Sequence, residues 1–194
     1  IFMGVSTGTL LVSDKIALER IFTETAGLIA VHAEDEDRMN ERRKLVEGRT
    51  DIAAHAYYRD DITALLATKL AVNLAHKTGH RLHILHLTSG IEADFLNDHC
   101  KLPSNTEGHP IITTEVLPQH LTFDETDVDE QGVRLQMNPP IRYKMDRDIL
   151  WKRLIDGTIQ CIATDHAPHT LEAKSKGFPH LSLIHISEPT RRTI

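Results

Sequence analysis

Lys77-Thr78-Gly79-His80-Arg81-Leu82-His83-Ile84-Leu85-His86-Leu87 is the stretch on which the fold turns. Ahead of it, from Asp60 to His76, Ile62, Leu65, Leu66, Leu70 and Val72 to Leu74 recur at helical spacing and predict a helix with a broad apolar stripe. Lys77-Thr78-Gly79 stops that helix, because glycine accepts a left-handed cap without steric cost. Arg81 to Leu87 then reads as a strand, and a second helical pattern runs through Ile91, Phe95 and Leu96. Helix, short strand, helix is the unit from which parallel sheets with crossover helices are built.

The alternation continues in both directions. Ser13-Asp14 caps a helix from Lys15 to Phe22, Gly27 breaks it, and Leu28 to Val31 predicts a buried strand that ends at His32. The charged run from Glu34 to Glu47 predicts a mostly exposed helix. Further on, Ile111 to Val116 predicts a third strand ended by Pro118, and Asp146 to Ile155 a short helix stopped by Asp156-Gly157. Cys161 to Thr164 predicts a fourth strand ending at Asp165. Neither a GxGxxG nor a P-loop follows any strand, which disfavours a doubly wound nucleotide binder. The expected class is therefore α/β, a partial (β/α)8 TIM barrel. A whole barrel takes about 250 residues, and four strands plus an apolar stub at Ile1 amount to its second half. The opening at Ile1, inside an apolar run with neither Met nor a basic leader, suggests a fragment of a longer chain.

Composition narrows the function classes. The chain has 194 residues, 40% of them hydrophobic and 26% charged, which suits a packed globular domain and excludes disorder. No apolar run reaches the roughly 18 residues of a membrane span, so a soluble protein with no membrane partner is expected. The formal net charge of -6, with no dense basic stripe, argues against nucleic acid. Cys100 and Cys161 look like reduced thiols in a cytoplasmic protein.

Thirteen histidines is a large share, and several stand at strand ends. Alternation along the strands predicts one face carrying Leu28, Ala30 and His32, then Leu82, Ile84 and His86, then Cys161, Ala163 and Asp165. Two imidazoles and a carboxylate meeting on one rim suit Zn²⁺ or a similar ion with an open position for water. The alternative for His32 and His86 is a pair of partly exposed caps without a ligand. Thr164-Asp165-His166-Ala167-Pro168-His169 adds two imidazoles beside the same carboxylate. His83 is expected on the opposite side, against the helix layer, and His55, His76, His80 and His99 at the surface. His120 could reach the rim. In Met137-Asn138-Pro139-Pro140-Ile141-Arg142 two prolines fix a turn between an amide and a guanidinium, either a substrate clamp or a surface turn.

Ile1 to Gly8, His32-Ala33-Glu34-Asp35, His83 to Ser89, Asn138 to Arg142 and Asp156 to His169 resemble the corresponding motifs of the dihydroorotases, in the amidohydrolase superfamily. The resemblance covers roughly residues 1 to 180, with Asp156 to His169 its most specific part. It implies a (β/α)8 barrel holding one or two divalent metals, usually zinc, and the reversible cyclisation of N-carbamoyl-L-aspartate to L-dihydroorotate in pyrimidine synthesis. This segment would run from the end of strand 4 to just past strand 8. Residue by residue, the resemblance makes His32 and His86 metal ligands and Asp165 a ligand that also shuttles the proton. Asn138, His169 and Arg142 match substrate-binding positions. The family's His-x-His pair belongs to a first strand that this sequence does not contain, and its bridging carboxylated lysine would stand just before Ile1. Thr88-Ser89 stands where many members have Ser-Thr.

Leu181 to Arg192 looks instead like translated sequencing adapter, so residues 1–180 are expected to form the barrel domain and 181–194 a non-native tail. A small-molecule substrate and a homo-oligomer of the whole protein are in keeping with the resemblance. Two other readings share these motifs: an allantoinase or hydantoinase-like cyclic amidohydrolase, and a non-catalytic structural partner of a pyrimidine-pathway assembly.

Overall fold

The computed structural model describes residues 1–4, 11–100, 110–167 and 169–175. In chain order its elements are α1 (Lys15–Glu24), β1 (Ile29–Val31), α2 (Glu36–Arg43), α3 (Ala53–Tyr58), α4 (Asp61–Thr78), β2 (Leu82–Leu87) and α5 (Gly90–Cys100). There follow β3 (Ile112–Val116), α6 (Pro118–Thr122), α7 (Glu125–Gln131), α8 (Lys144–Ile155), β4 (Cys161–Ile162) and α9 (Leu171–Ser175), with short 3-10 turns at Lys44–Val46 and Gly132–Leu135. Residues 5–8 of the amino-terminal motif, Pro168 and the tail from 181 onward lie outside the described residues.

Local chemistry sets the helix ends. Asp14, Asp35 and Asp60 each accept a backbone N–H at the N-terminus of α1, α2 and α4, from Ala17, Arg38 and Thr63. Gly79 closes α4 in the left-handed region at φ 70°. Pro118, expected only to end a strand, also opens α6, where its missing N–H costs nothing.

The four strands are all parallel and lie in the order β1-β2-β3-β4, the order of the chain. A doubly wound sheet reverses its order at a switch point; a barrel wall does not. At the first edge Phe2 bridges His32 on one side and Leu11 on the other, so the stub at Ile1 gains neighbours on both sides. Among the described residues no strand pairs beyond β4.

Register corrects the expected faces. Ile29 pairs with Leu82, which pairs with Ile112, and Val31 pairs with Ile84. These side chains lie in the core with Leu18, Phe22, Val72 and Leu96 of the helices, and Leu82, Ile84 and Ile112 have no exposure at all. Each fully buried aliphatic side chain contributes roughly 1.5–3 kcal/mol. Leu82 and Ile84 therefore face the helices, not the barrel interior. The interior face carries Ala30, His83 and Thr113, which are register partners. His83, expected against the helices, instead bonds across that interior face, its Nδ1 2.8 Å from Thr113 Oγ1 and its Nε2 3.0 Å from Glu115 Oε2.

Two other expectations change. The leucine stripe of the long helix is only part of what it buries: Ala64, Ala67, Thr68, Ala71 and Ala75 are buried while Leu66 is exposed. Small side chains let the helix axis approach its neighbours closely. The fourth strand keeps only Cys161 and Ile162, both exposed, and among the described residues β3 is its one partner.

Candidate active site

His32 follows β1 directly, and His86 lies near the end of β2, at an irregularity in the pairing with β3 between Ile84 and Leu87. By simple alternation His86 would point with Leu82 and Ile84 into the helices. At the irregularity its backbone turns to φ 36°, and bulges of this kind re-aim a side chain. The result is a buried pair, with His32 Nδ1 2.9 Å from His86 Nε2 and the rings edge to face. Burial, then the neighbouring His32 and His120, hold the His86 imidazole well below its ordinary value, so it is neutral.

Behind the pair stands a buried ion pair. His32 Nε2 is 2.8 Å from Glu34 Oε2, and Arg59 reaches both carboxylate oxygens, its Nε 3.0 Å from Oε1. Neither Glu34 nor Arg59 has any solvent exposure. Burial alone would raise the Glu34 carboxyl, but the Arg59 charge and the His32 contact outweigh it and hold it well below the usual carboxylate range. An ionised carboxylate only accepts, so this contact is a hydrogen bond when His32 Nε2 carries the proton.

Asn138 Oδ1 accepts from His55 Nε2 at 2.9 Å. His55, expected at the surface, is buried, and burial followed by the Arg59 charge pulls its pKa down to about 3. His120 is also buried, with its pKa lowered by burial to about 4, and its Nε2 donates to the Pro139 carbonyl at 3.2 Å. Arg142 is buried, which rules out the surface-turn reading of its segment. Its Nε donates to Thr88 Oγ1 at 2.8 Å and its Nη1 to the Arg59 carbonyl at 2.7 Å. Only Nη2 has no hydrogen-bond partner among the described residues.

Asp165 and His169 belong to a different place. With Asn138 they line a cavity of about 320 Å³ that also takes in His166, Gln119 and Lys174. Asp165 is exposed at φ 43°, beyond the end of the two-residue β4. Among the described residues no three His, Cys, Asp or Glu side chains are placed to hold a metal ion, so Asp165 is not brought into ligating reach of the histidine pair.

The donor chemistry still bears on a metal. Two imidazole nitrogens converge, and a carboxylate holds the far nitrogen of one of them, which is the usual support of a metal-bound histidine. Catalytic zinc takes three protein ligands, and the pair offers two nitrogens of the type it takes.

From sequence, Glu34 and Thr88 were named only within motifs and given no role, His55 was expected at the surface, and Arg59 was not singled out. For Glu34 a signal existed: it stands two residues after His32 along an extended segment, where side chains share a side. For Arg59 and His55 none did, since only tertiary packing buries them.

No family model matches the chain. Among curated proteins it is 32% identical over 180 residues to a dihydroorotase of Halobacterium salinarum, covering 90% of this chain and 39% of that protein. It is 31% identical over 171 residues to a dihydroorotase of Methanosarcina mazei, covering 87% and 38%. The chain belongs to the dihydroorotase-like amidohydrolases. Solved structures agree on the architecture of this amidohydrolase segment. An L-hydantoinase from Arthrobacter aurescens matches with a TM-score of 0.80 and 26% identity over 91% of this chain and 39% of its own. A D-hydantoinase from Bacillus sp. AR9 matches with a TM-score of 0.81, also at 26% identity, over 95% and 40%. The amidohydrolase chain thus spans about two fifths of the length of the relatives it matches, and its four parallel strands are part of a (β/α)8 barrel.

Proposed function

We propose that the whole protein carrying this chain is a dihydroorotase, interconverting L-dihydroorotate and N-carbamoyl-L-aspartate. The observation that carries the reading is the similarity to curated dihydroorotases along nine tenths of the chain. The buried His32–His86 pair supports it.

In this reading His32 and His86 would hold a divalent ion such as Zn²⁺, which imidazole suits, and Asp165, placed here on the neighbouring cavity, would join them as a ligand only in the complete barrel. The ion would supply an acidified water and stabilise charge on the carbonyl oxygen. Asp165 accepts the proton of the attacking water and returns it to the ring nitrogen as the carbon–nitrogen bond breaks, so one carboxylate serves as base and then acid. In the cyclising direction the same transfers run backwards, and water leaves. Asn138 and His169, on the same cavity as Asp165, orient the substrate's carboxylate. Arg142 acts mainly by holding the segment that bears Asn138, since two of its donors are already engaged. The reading takes residues 1–180 as part of the barrel domain of a cytosolic enzyme, accommodates a homo-oligomer, and sets 181–194 apart.

A second reading, a hydantoinase-like cyclic amidohydrolase, is favoured by the solved structures that the fold matches. Assaying the full-length protein on dihydroorotate, hydantoin and allantoin separates the two. Turnover of dihydroorotate is expected, and Asp165→Asn should lower it by at least about 10²-fold, the lower end of what acid–base catalysis contributes. Turnover of hydantoin or allantoin alone would overturn the dihydroorotase assignment, and an Asp165→Asn enzyme above about a tenth of the wild-type rate would move the proton transfer to another group.

A further inference from the structure

Glu34 and Arg59 bury two opposite charges where an apolar pair would pack at lower cost, so their arrangement calls for a reason beyond stability. Both carboxylate oxygens are engaged. Oε1 takes Arg59 Nε, while Oε2 takes Arg59 Nη2 and faces His32 Nε2. The planar guanidinium fork leaves the carboxylate one orientation, and that orientation points an acceptor at one nitrogen of one imidazole. The same arginine is anchored from the other side, because its backbone carbonyl accepts from Arg142 Nη1. Arg142 in turn donates to Thr88, two residues beyond His86, and stands four residues beyond Asn138. One buried chain of contacts therefore runs from His32 through Glu34 and Arg59 to the segments that carry the other imidazole and the substrate-facing amide.

We propose that Glu34 and Arg59 are positioning residues: they hold His32 in the tautomer protonated at Nε2, which leaves the Nδ1 lone pair directed at the point where the two imidazoles converge, and Arg142 ties this clamp to the Asn138 segment. The metal-directed part of this inference rests on the dihydroorotase reading; the tautomer itself does not.

The test reads the His32 ring nitrogens directly. The 194-residue chain is labelled with ¹⁵N-histidine, long-range ¹⁵N–¹H correlations are recorded without metal or substrate, and His32 is assigned by its loss in a His32→Gln variant. The wild-type chain is expected to show Nε2 as a pyrrole-like and Nδ1 as a pyridine-like nitrogen, in one tautomer. Glu34→Gln, whose neutral amide can present either a donor or an acceptor, should draw the two shifts toward each other as both tautomers become populated. Arg59→Lys keeps the charge but not the fork, and should cause a smaller move in the same direction. His83, held separately by Thr113 and Glu115, reports whether each variant is folded. If Glu34→Gln fails to fold, Arg59→Lys decides alone. A wild-type His32 that is protonated at Nδ1, doubly protonated or mixed would overturn the proposal, as would unchanged His32 shifts in the folded variants. Because no turnover is measured, a full-length protein without dihydroorotase activity would leave this result standing.

Discussion

Glu92 illustrates how one buried group sets a pH dependence. It lies on α5 with its side chain buried, and Thr68 of α4 donates to its carboxyl. Burial is the largest influence and pushes its pKa up to about 7, although the Thr68 contact and the Arg142 charge pull the other way. The folded chain therefore holds a proton on Glu92 that the unfolded chain has released above its ordinary value of 4.5. The resulting stability is fully present below about 4.5, declines as pH rises, and is gone above about 7. Glu92→Gln should flatten that slope. The buried neutral histidines His55, His86 and His120 tilt both proteins alike between pH 5 and pH 8, so the measure is the difference: the wild-type urea midpoint is expected to fall relative to that of the variant as pH rises. The gap at the upper end would be on the order of 3 kcal/mol at 1.36 kcal/mol per pKa unit. Parallel slopes in the two proteins would show that Glu92 is ionised in the fold.

At the scale of elements, Asp60 does two jobs at the start of α4. It accepts from Thr63 N at 3.0 Å and Thr63 Oγ1 at 2.7 Å, and it receives Arg38 from α2 at 2.9 and 2.6 Å. Removing the cap costs about 0.5–2 kcal/mol, and a partly exposed ion pair adds about 0.2–1 kcal/mol. Asp60→Ala should therefore destabilise the chain by about 1–3 kcal/mol in urea unfolding, and Asp60→Asn, which still caps, should recover more than half of that. Equal losses in both variants would assign the effect to the ion pairs with Arg38 and with Arg42, whose Nε lies 3.2 Å from Asp60 Oδ2.

The same scale explains which parts of the molecule could be read from sequence. Helix ends and strand positions were legible because Asp14, Gly79 and the short Leu/Ile runs act locally. The faces of β2 were not: Leu and Ile stand on both sides of His83 and His86, so alternation alone admits either choice, and the irregularity that turns His86 has no sequence mark. His32 and His86 were legible as a pair for the simpler reason that each ends an apolar run. The ion pair behind them was not, because Arg59 reaches Glu34 across 25 residues of sequence.

For the whole molecule the decisive feature is the open side of the sheet. Among the described residues β4 pairs only with β3, and its second residue, Ile162, is 59% exposed, with Cys161 exposed beside it. Leu28, just ahead of β1, is also half exposed, at 50%. An edge strand presents unpaired N–H and C=O groups to any other edge, and an apolar side chain beside them strengthens such pairing. The chain should consequently associate with itself in a concentration-dependent way, edge to edge through β4. Ile162→Lys places a charge on that edge, as natural edge strands do, and should shift the population toward monomer with little change in unfolding, since the side chain it replaces is mostly in water. Sedimentation velocity over a concentration series distinguishes the outcomes. A wild-type chain that stays monomeric throughout would mean that residues outside the described set cover the edge. Association left unchanged by Ile162→Lys would move the contact away from β4, with the exposed Leu28 ahead of β1 as the next position to charge.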